Sequence, residues 1–251
     1  MDGKLRLIDF DAFAPIVEGG EEGEGYACAK FSSGVLPPEA LHQLKGEERS
    51  QFDAYWADLK DKDSELWSKV QPMEGKQGKQ YAVKAFRTAD GKPITNGLPY
   101  ELLPASASLD MWSLGVMLYL LLTGENLVPV TRDDDFVSGT GMGYVYNWNE
   151  EKLREKLQKV DDPAAYSLLL QLLSHGAKER CKESLKSLLD THPFFNPSKG
   201  AEETVELKEI KQIVLDNNQR IREVREEQDQ QTKLLLVIKD LSTENKIELR
   251  H

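Results

Sequence analysis

The pattern of apolar and polar positions divides the chain into four zones. Residues 1–40 open with Lys4-Leu-Arg-Leu-Ile-Asp-Phe-Asp-Ala-Phe13, an alternation passing into an apolar run that predicts a strand. The tract Glu18-Gly-Gly-Glu-Glu-Gly-Glu-Gly25 then offers no apolar side chain to a core and predicts an acidic loop. Residues 41–98 are polar and uneven. A helix is predicted from about Pro38 to Leu44, and another from Glu47 to Val70, where Phe52, Tyr55, Trp56, Leu59, Leu66 and Trp67 recur at helical spacing. Gln80-Tyr-Ala-Val-Lys-Ala-Phe-Arg87 reads as a strand and Asp90-Gly91 as the turn after it. Residues 99–197 are the most apolar part. Ser108 is placed to cap a helix running through Met111-Trp-Ser-Leu-Gly-Val-Met-Leu-Tyr-Leu-Leu-Leu122 and ended by Thr123-Gly124. That helix is apolar nearly all round, which predicts burial inside a large core. Further helices are predicted at about 149–160, 163–174 and 181–190, with Pro193 and Pro197 closing the segment.

Residues 201–251 carry a different period. With Leu207 as position a, the a positions are Leu207, Val214, Ile221, Gln228, Leu235, Ser242 and Leu249; the d positions are Ile210, Asn217, Val224, Gln231, Ile238 and Asn245. Six heptads without Pro or Gly predict a coiled-coil helix, and hence self-association or a helical partner. Its polar layers cost stability but fix register and strand number. The alternative is a lone helix packed back on its own domain.

Composition narrows the function classes. The 251 residues carry 32 Lys+Arg against 43 Asp+Glu, a formal charge of −11. This length suits one fair-sized domain with an appendage, or two small domains. Acidity of this size gives no general pull toward phosphate backbones or anionic lipid, so neither nucleic acid nor membrane is expected as a partner. Leu114 to Leu122, the longest apolar stretch, is interrupted by Gly115 and Tyr119 and far too short for a bilayer. Cys28 and Cys181 alone cannot make a disulfide scaffold, and no secretory leader is recognisable, so an intracellular protein of cytoplasm or nucleus is expected. The four histidines are scattered without metal-ligand spacing, and no Gly-x-Ser-x-Gly elbow occurs.

Four separated pieces, taken in order, resemble the C-terminal half of a protein kinase domain. Leu7-Ile-Asp9-Phe10-Asp11 is similar to the strand and Asp-Phe-Gly element of that family, in which a carboxylate holds magnesium against nucleotide phosphates. Asp11 stands where the family has Gly. Phe31-Ser-Ser-Gly-Val-Leu-Pro-Pro-Glu39 resembles the end of the activation segment leading into Ala-Pro-Glu. Ser108-Leu-Asp110-Met-Trp112-Ser-Leu-Gly-Val-Met-Leu-Tyr119 resembles the buried central helix of the lobe and is the most specific of these pieces. Leu172-Leu-Ser-His-Gly-Ala-Lys-Glu-Arg180, followed by Leu189-Asp-Thr-His-Pro-Phe-Phe195, resembles the end of the lobe. The resemblance implies a structural ion pair between Glu39 and Arg180. It also implies a buried Asp110 accepting backbone hydrogen bonds, a structural Trp112, and a magnesium–ATP role for Asp9. It covers residues 4–40 and 99–197, and residues 41–98 fall where the family has only a short link, so they read as an insertion.

Phosphoryl transfer also needs a Gly-rich loop, a third-strand lysine, its partner Glu and a catalytic-loop Asp and Asn, and the family places these before the position of Asp9. Two look-alikes do not supply them. Gly20 to Gly25 with Lys30 is interleaved with glutamates that repel phosphate, and Tyr81-Ala-Val-Lys84 has no Gly-rich strand pair before it and no His-Arg-Asp after it. Arg132-Asp-Asp-Asp135 reads as solvated loop charge. The expectation is a mainly α chain with four parts: residues 1–40 with the metal-binding strand and activation segment, a small α/β insertion at 41–98, a helical kinase-like C-terminal lobe at 99–197, and a coiled-coil helix at 201–251. It is either a truncated or inactive member of a family whose activity is ATP-dependent phosphorylation of protein Ser/Thr, or a pseudokinase-type scaffold binding protein partners. Mg2+ and ATP are cofactors only by that resemblance, and the chain alone is expected to be inactive.

Overall fold

The computed structural model describes residues 14–16, 25–90 and 92–197. The chain divides into Met1–Phe195 and Asn196–His251. The strand expected at 4–13, Asp9 with it, most of the acidic tract and all the heptads lie outside the described residues.

Among the described residues the fold is helical with two small antiparallel sheets. Two single 3-10 turns, Ser33–Val35 and Pro38–Ala40, lead into strand β1 (Leu41–Leu44). Helices α1 (Glu48–Tyr55), α2 (Ala57–Lys62) and α3 (Ser64–Val70) follow, then strands β2 (Met73–Glu74) and β3 (Gln80–Val83) and a hairpin of β4 (Arg87–Ala89) with β5 (Lys92–Ile94). The rest is helical: α4 (Ala107–Thr123), α5 (Gly139–Tyr146), α6 (Glu150–Leu157), α7 (Pro163–Leu172), α8 (Ala177–Arg180) and α9 (Leu185–Thr191). Strand β3 is central in the order β1-β3-β2, with Leu41 opposite Val83, Leu44 opposite Gln80 and Met73 opposite Tyr81.

Several local expectations are corrected. Pro38 opens only one 3-10 turn, and the chain is extended from Leu41, because pairing with β3 buries both Leu41 and Leu44. Tertiary pairing here overrides a weak local helix signal. The Glu47–Val70 helix is broken twice. It stops at Trp56, whose indole is buried against the Tyr55 ring, and again at Asp63, whose carboxylate accepts the Leu66 N–H at 2.9 Å and so starts a new helix. Strand β3 ends at Val83, where Ala85 N–H turns back onto the Val83 carbonyl. Helix α4 has Ser106 at its N-cap position, two residues earlier than expected and without a side-chain capping bond, and Ser108 is buried inside its first turn. The helix predicted at 181–190 begins at Leu185, capped by Ser184, with the one-turn α8 before it.

Helix α5 has no apolar stripe that announces it. Its glycines exist for contact: a Cβ on Gly139 would lie 2.3 Å from the Glu74 carbonyl oxygen, and one on Gly143 would lie 2.8 Å from the Tyr81 ring. They let the helix lie directly on the three-stranded sheet. Gly115 does the same for α4 on α7, where a Cβ would lie 2.9 Å from Leu172 Cβ. Trp112 meets Trp148 edge to face at 5.5 Å, and the Trp148 indole N–H donates to the Leu173 carbonyl at 2.7 Å. Phe52, Trp56 and Tyr81 belong to the same buried cluster as Trp112, Leu169 and Leu173, so residues 41–98 and 99–197 share one core.

Helix α4 is not enclosed as its composition predicts. Trp112, Gly115 and Tyr119 face the core, but Met117, Leu120 and Leu121 are 51, 41 and 80% exposed. Gly124 ends the helix at φ +71°, with its N–H on the Leu120 carbonyl. No described helix is long and apolar enough to cross a membrane.

Candidate functional site

The described motif residues converge on Arg180. Its side chain is fully buried, a position that an arginine occupies only when its donors are satisfied. Nε donates to the Ser108 carbonyl at 3.1 Å. One terminal nitrogen donates to the carbonyls of Ser174 at 2.7 Å and His175 at 3.0 Å, and the other donates to the carboxylate of Glu39. The guanidinium carbon lies 5.6 Å from the centre of the Trp112 ring. One side chain thus ties α8 and the end of α7 to the first turn of α4 and to the Pro37-Pro38-Glu39 turn. Burial pulls the guanidinium pKa below its ordinary value and the adjacent Glu39 opposes that shift; an arginine starts so high that it stays charged.

The turn at residues 31–39 is held just as firmly. Ser33 N–H donates to the Asp135 carboxylate at 2.7 Å, Ser33 Oγ accepts the Phe136 N–H at 2.9 Å, and Gly34 N–H donates to the Asp134 carbonyl at 2.8 Å. Ser113 Oγ of α4 donates to the Val35 carbonyl at 3.0 Å. Gly34 is required because a Cβ there would lie 2.4 Å from Val130 Cγ1. Asp135, expected as solvated charge, is therefore a structural staple.

Asp110 departs from the implied role. It is exposed in the first turn of α4, where the helix dipole favours a carboxylate, and it follows the helical repeat onto the face of Met117 and Leu121. No described segment covers that face with backbone donors. Trp112 is buried as a packing residue. Lys84 is half-buried near Cys28, and its backbone N–H donates to the Ala40 carbonyl at 2.8 Å. Burial pushes the Cys28 thiol up to about 12, against the pull of Lys84, so it is a protonated thiol at neutral pH and not a nucleophile.

Two features had no counterpart in the sequence reading. One is the open apolar face of α4. The other is a cavity of about 820 Å3 between α5, α6 and the turn after β2, lined by four lysines and one glutamate. The lysines are 73 residues or more apart in two pairs, and nothing in their local sequence joins them. Among the described residues no group of three His, Cys, Asp or Glu is placed to hold a metal ion. Compared with protein-family models, with curated proteins and with solved structures, the chain matches none.

Proposed function

We propose that this chain is a protein-kinase-like C-terminal lobe that acts as a protein-binding module, with no phosphotransfer of its own. The observation that carries the reading is the ion pair of Glu39 with the buried Arg180. Two motif pieces 141 residues apart in sequence meet, and they meet over the first turn of the helix bearing the third piece. Within this reading magnesium and ATP are tied to Asp9 by resemblance only. Asp9 lies outside the described residues, and Lys84 is not among the residues lining the large cavity. No reaction step is therefore assigned to them.

Binding has two surfaces in this reading. Residues 205–249 self-associate through their heptads. The exposed face of α4, with Asp110 followed by Met117, Leu120 and Leu121, receives an amphipathic helix of a partner protein, because apolar residues at intervals of three and four are the pattern by which one helix packs on another. Light scattering on the full chain tests the first surface, and binding of an apolar dye tests the second. The wild type is expected to form a dimer or larger assembly, and Val214→Glu with Ile221→Glu to return it to a monomer. Met117→Lys with Leu121→Glu should leave mass and melting temperature unchanged, since exposed substitutions cost within about 0.5 kcal/mol. The same pair should reduce binding of an apolar dye severalfold. A monomeric wild type, or dye binding untouched by the α4 pair, contradicts the reading.

A further inference from the structure

We infer that the cavity between α5, α6 and the β2–β3 turn binds a small organic molecule carrying two or more phosphate groups. The inference does not depend on the kinase-like reading. The chain as a whole is acidic, at −11, yet this cavity collects Lys76 and Lys79 from the turn and Lys152 and Lys156 from α6, against the single carboxylate of Glu155. Such a local reversal of sign inside a concavity concentrates anions. The volume of about 820 Å3 is within the range of small-molecule sites.

The wall and floor say more about the ligand. Thr140, Gly141, Gly143, Tyr144 and Asn147 of α5 line one side, at spacings that keep them on one helix face. Leu127, Val128 and Pro129 form an apolar part of the lining, which suits an organic body and not a bare inorganic ion. The cations are all lysines. A lysine ammonium is a compact point charge that pairs with phosphate oxygens without needing the planar geometry of an arginine fork. Two pairs of lysines match more than one phosphate.

The surroundings of the two α6 lysines agree with that geometry. Lys152 lies 4.7 Å and Lys156 5.8 Å from the centre of the Tyr144 ring. Lys152 Nζ already donates to the carbonyls of Tyr144 at 3.2 Å and Asn147 at 2.5 Å, which fixes its place at the end of α5. Burial lowers the pKa of Lys152, and burial together with the nearby Lys159 lowers that of Lys156. A bound dianion would reverse both effects.

Titration calorimetry on the full chain at low salt, with sodium pyrophosphate, fructose 1,6-bisphosphate and a hexaglutamate peptide as probes, tests this. The bisphosphate should bind one to one with Kd below about 1 mM, more tightly than pyrophosphate because of its organic body, and more weakly as NaCl is raised. Lys79→Gln with Lys156→Gln should weaken it about tenfold or more while leaving the melting temperature and the light-scattering mass as in wild type. Lys152 is left intact because it holds the end of α5. No binding, binding indifferent to the two substitutions, or preference for hexaglutamate, which would mark a docking site for an acidic protein segment, each overturns the proposal.

Discussion

Replacing Arg180 with methionine should lower the melting temperature of the Met1–Phe195 unit by about 6–20 °C. Methionine keeps most of the volume and removes the charge, so the change isolates the hydrogen bonds. It leaves the carbonyls of Ser108, Ser174 and His175 and the carboxylate of Glu39 without the donor that they now share. Removing one member of a buried ion pair costs about 3–5 kcal/mol; Glu39 keeps some contact with solvent, but the three carbonyls lose their shared donor inside the protein. For a unit of this size each kcal/mol moves the midpoint by about 2–4 °C. Glu39→Gln should be milder, at about 1–2 kcal/mol, since the amide oxygen still accepts. In a double-mutant cycle the two changes should fall well short of additive, as expected for groups in direct contact. Thermal unfolding followed by circular dichroism reads all three variants. A midpoint for Arg180→Met within 2 °C of wild type would show that this side chain is not the tie described above.

The second large effect is expected at Trp112, and its contrast with Trp148 makes it diagnostic. Both indoles are fully buried and meet edge to face. Trp112→Ala should cost about 3–5 kcal/mol, the range for truncating a large aromatic in a close-packed core, and it also strips the ring from beside the Arg180 guanidinium. The phenylalanine variants should separate. The Trp112 indole N–H has no hydrogen-bond partner among the described residues, so Trp112→Phe loses volume but no hydrogen bond that they supply. The Trp148 N–H donates to the Leu173 carbonyl, so Trp148→Phe also orphans a buried acceptor, adding about 1–3 kcal/mol. Urea unfolding of the two variants checks the order: Trp148→Phe must be the less stable.

What could be read in advance follows from how local each cause is. The end of α4 was legible because Thr123-Gly124 follows an unbroken apolar run, and Gly124 does take the left-handed conformation. The start of α7 was legible too, since Asp162 caps it and Pro163 occupies its first turn. Strand β1 was not, because what makes Leu41–Leu44 extended is β3, some forty residues on. Helix α5 was missed because its glycines read as a loop until the sheet they lie on is known. The contact of Glu39 with Arg180 came into view through family resemblance and not through any periodicity. The same resemblance pointed to a buried Asp110, which the structure leaves exposed. The lysine cavity depends on two distant pairs meeting across α5, and each pair by itself is ordinary surface charge.

A kinase-like lobe that binds without transferring phosphate, as we propose, should incorporate no labelled phosphate above background when the purified full chain is given ATP and Mg2+, either into itself or into a general protein substrate. Wild type and Asp9→Asn should be indistinguishable. Incorporation by the wild type that Asp9→Asn abolishes would contradict the proposal.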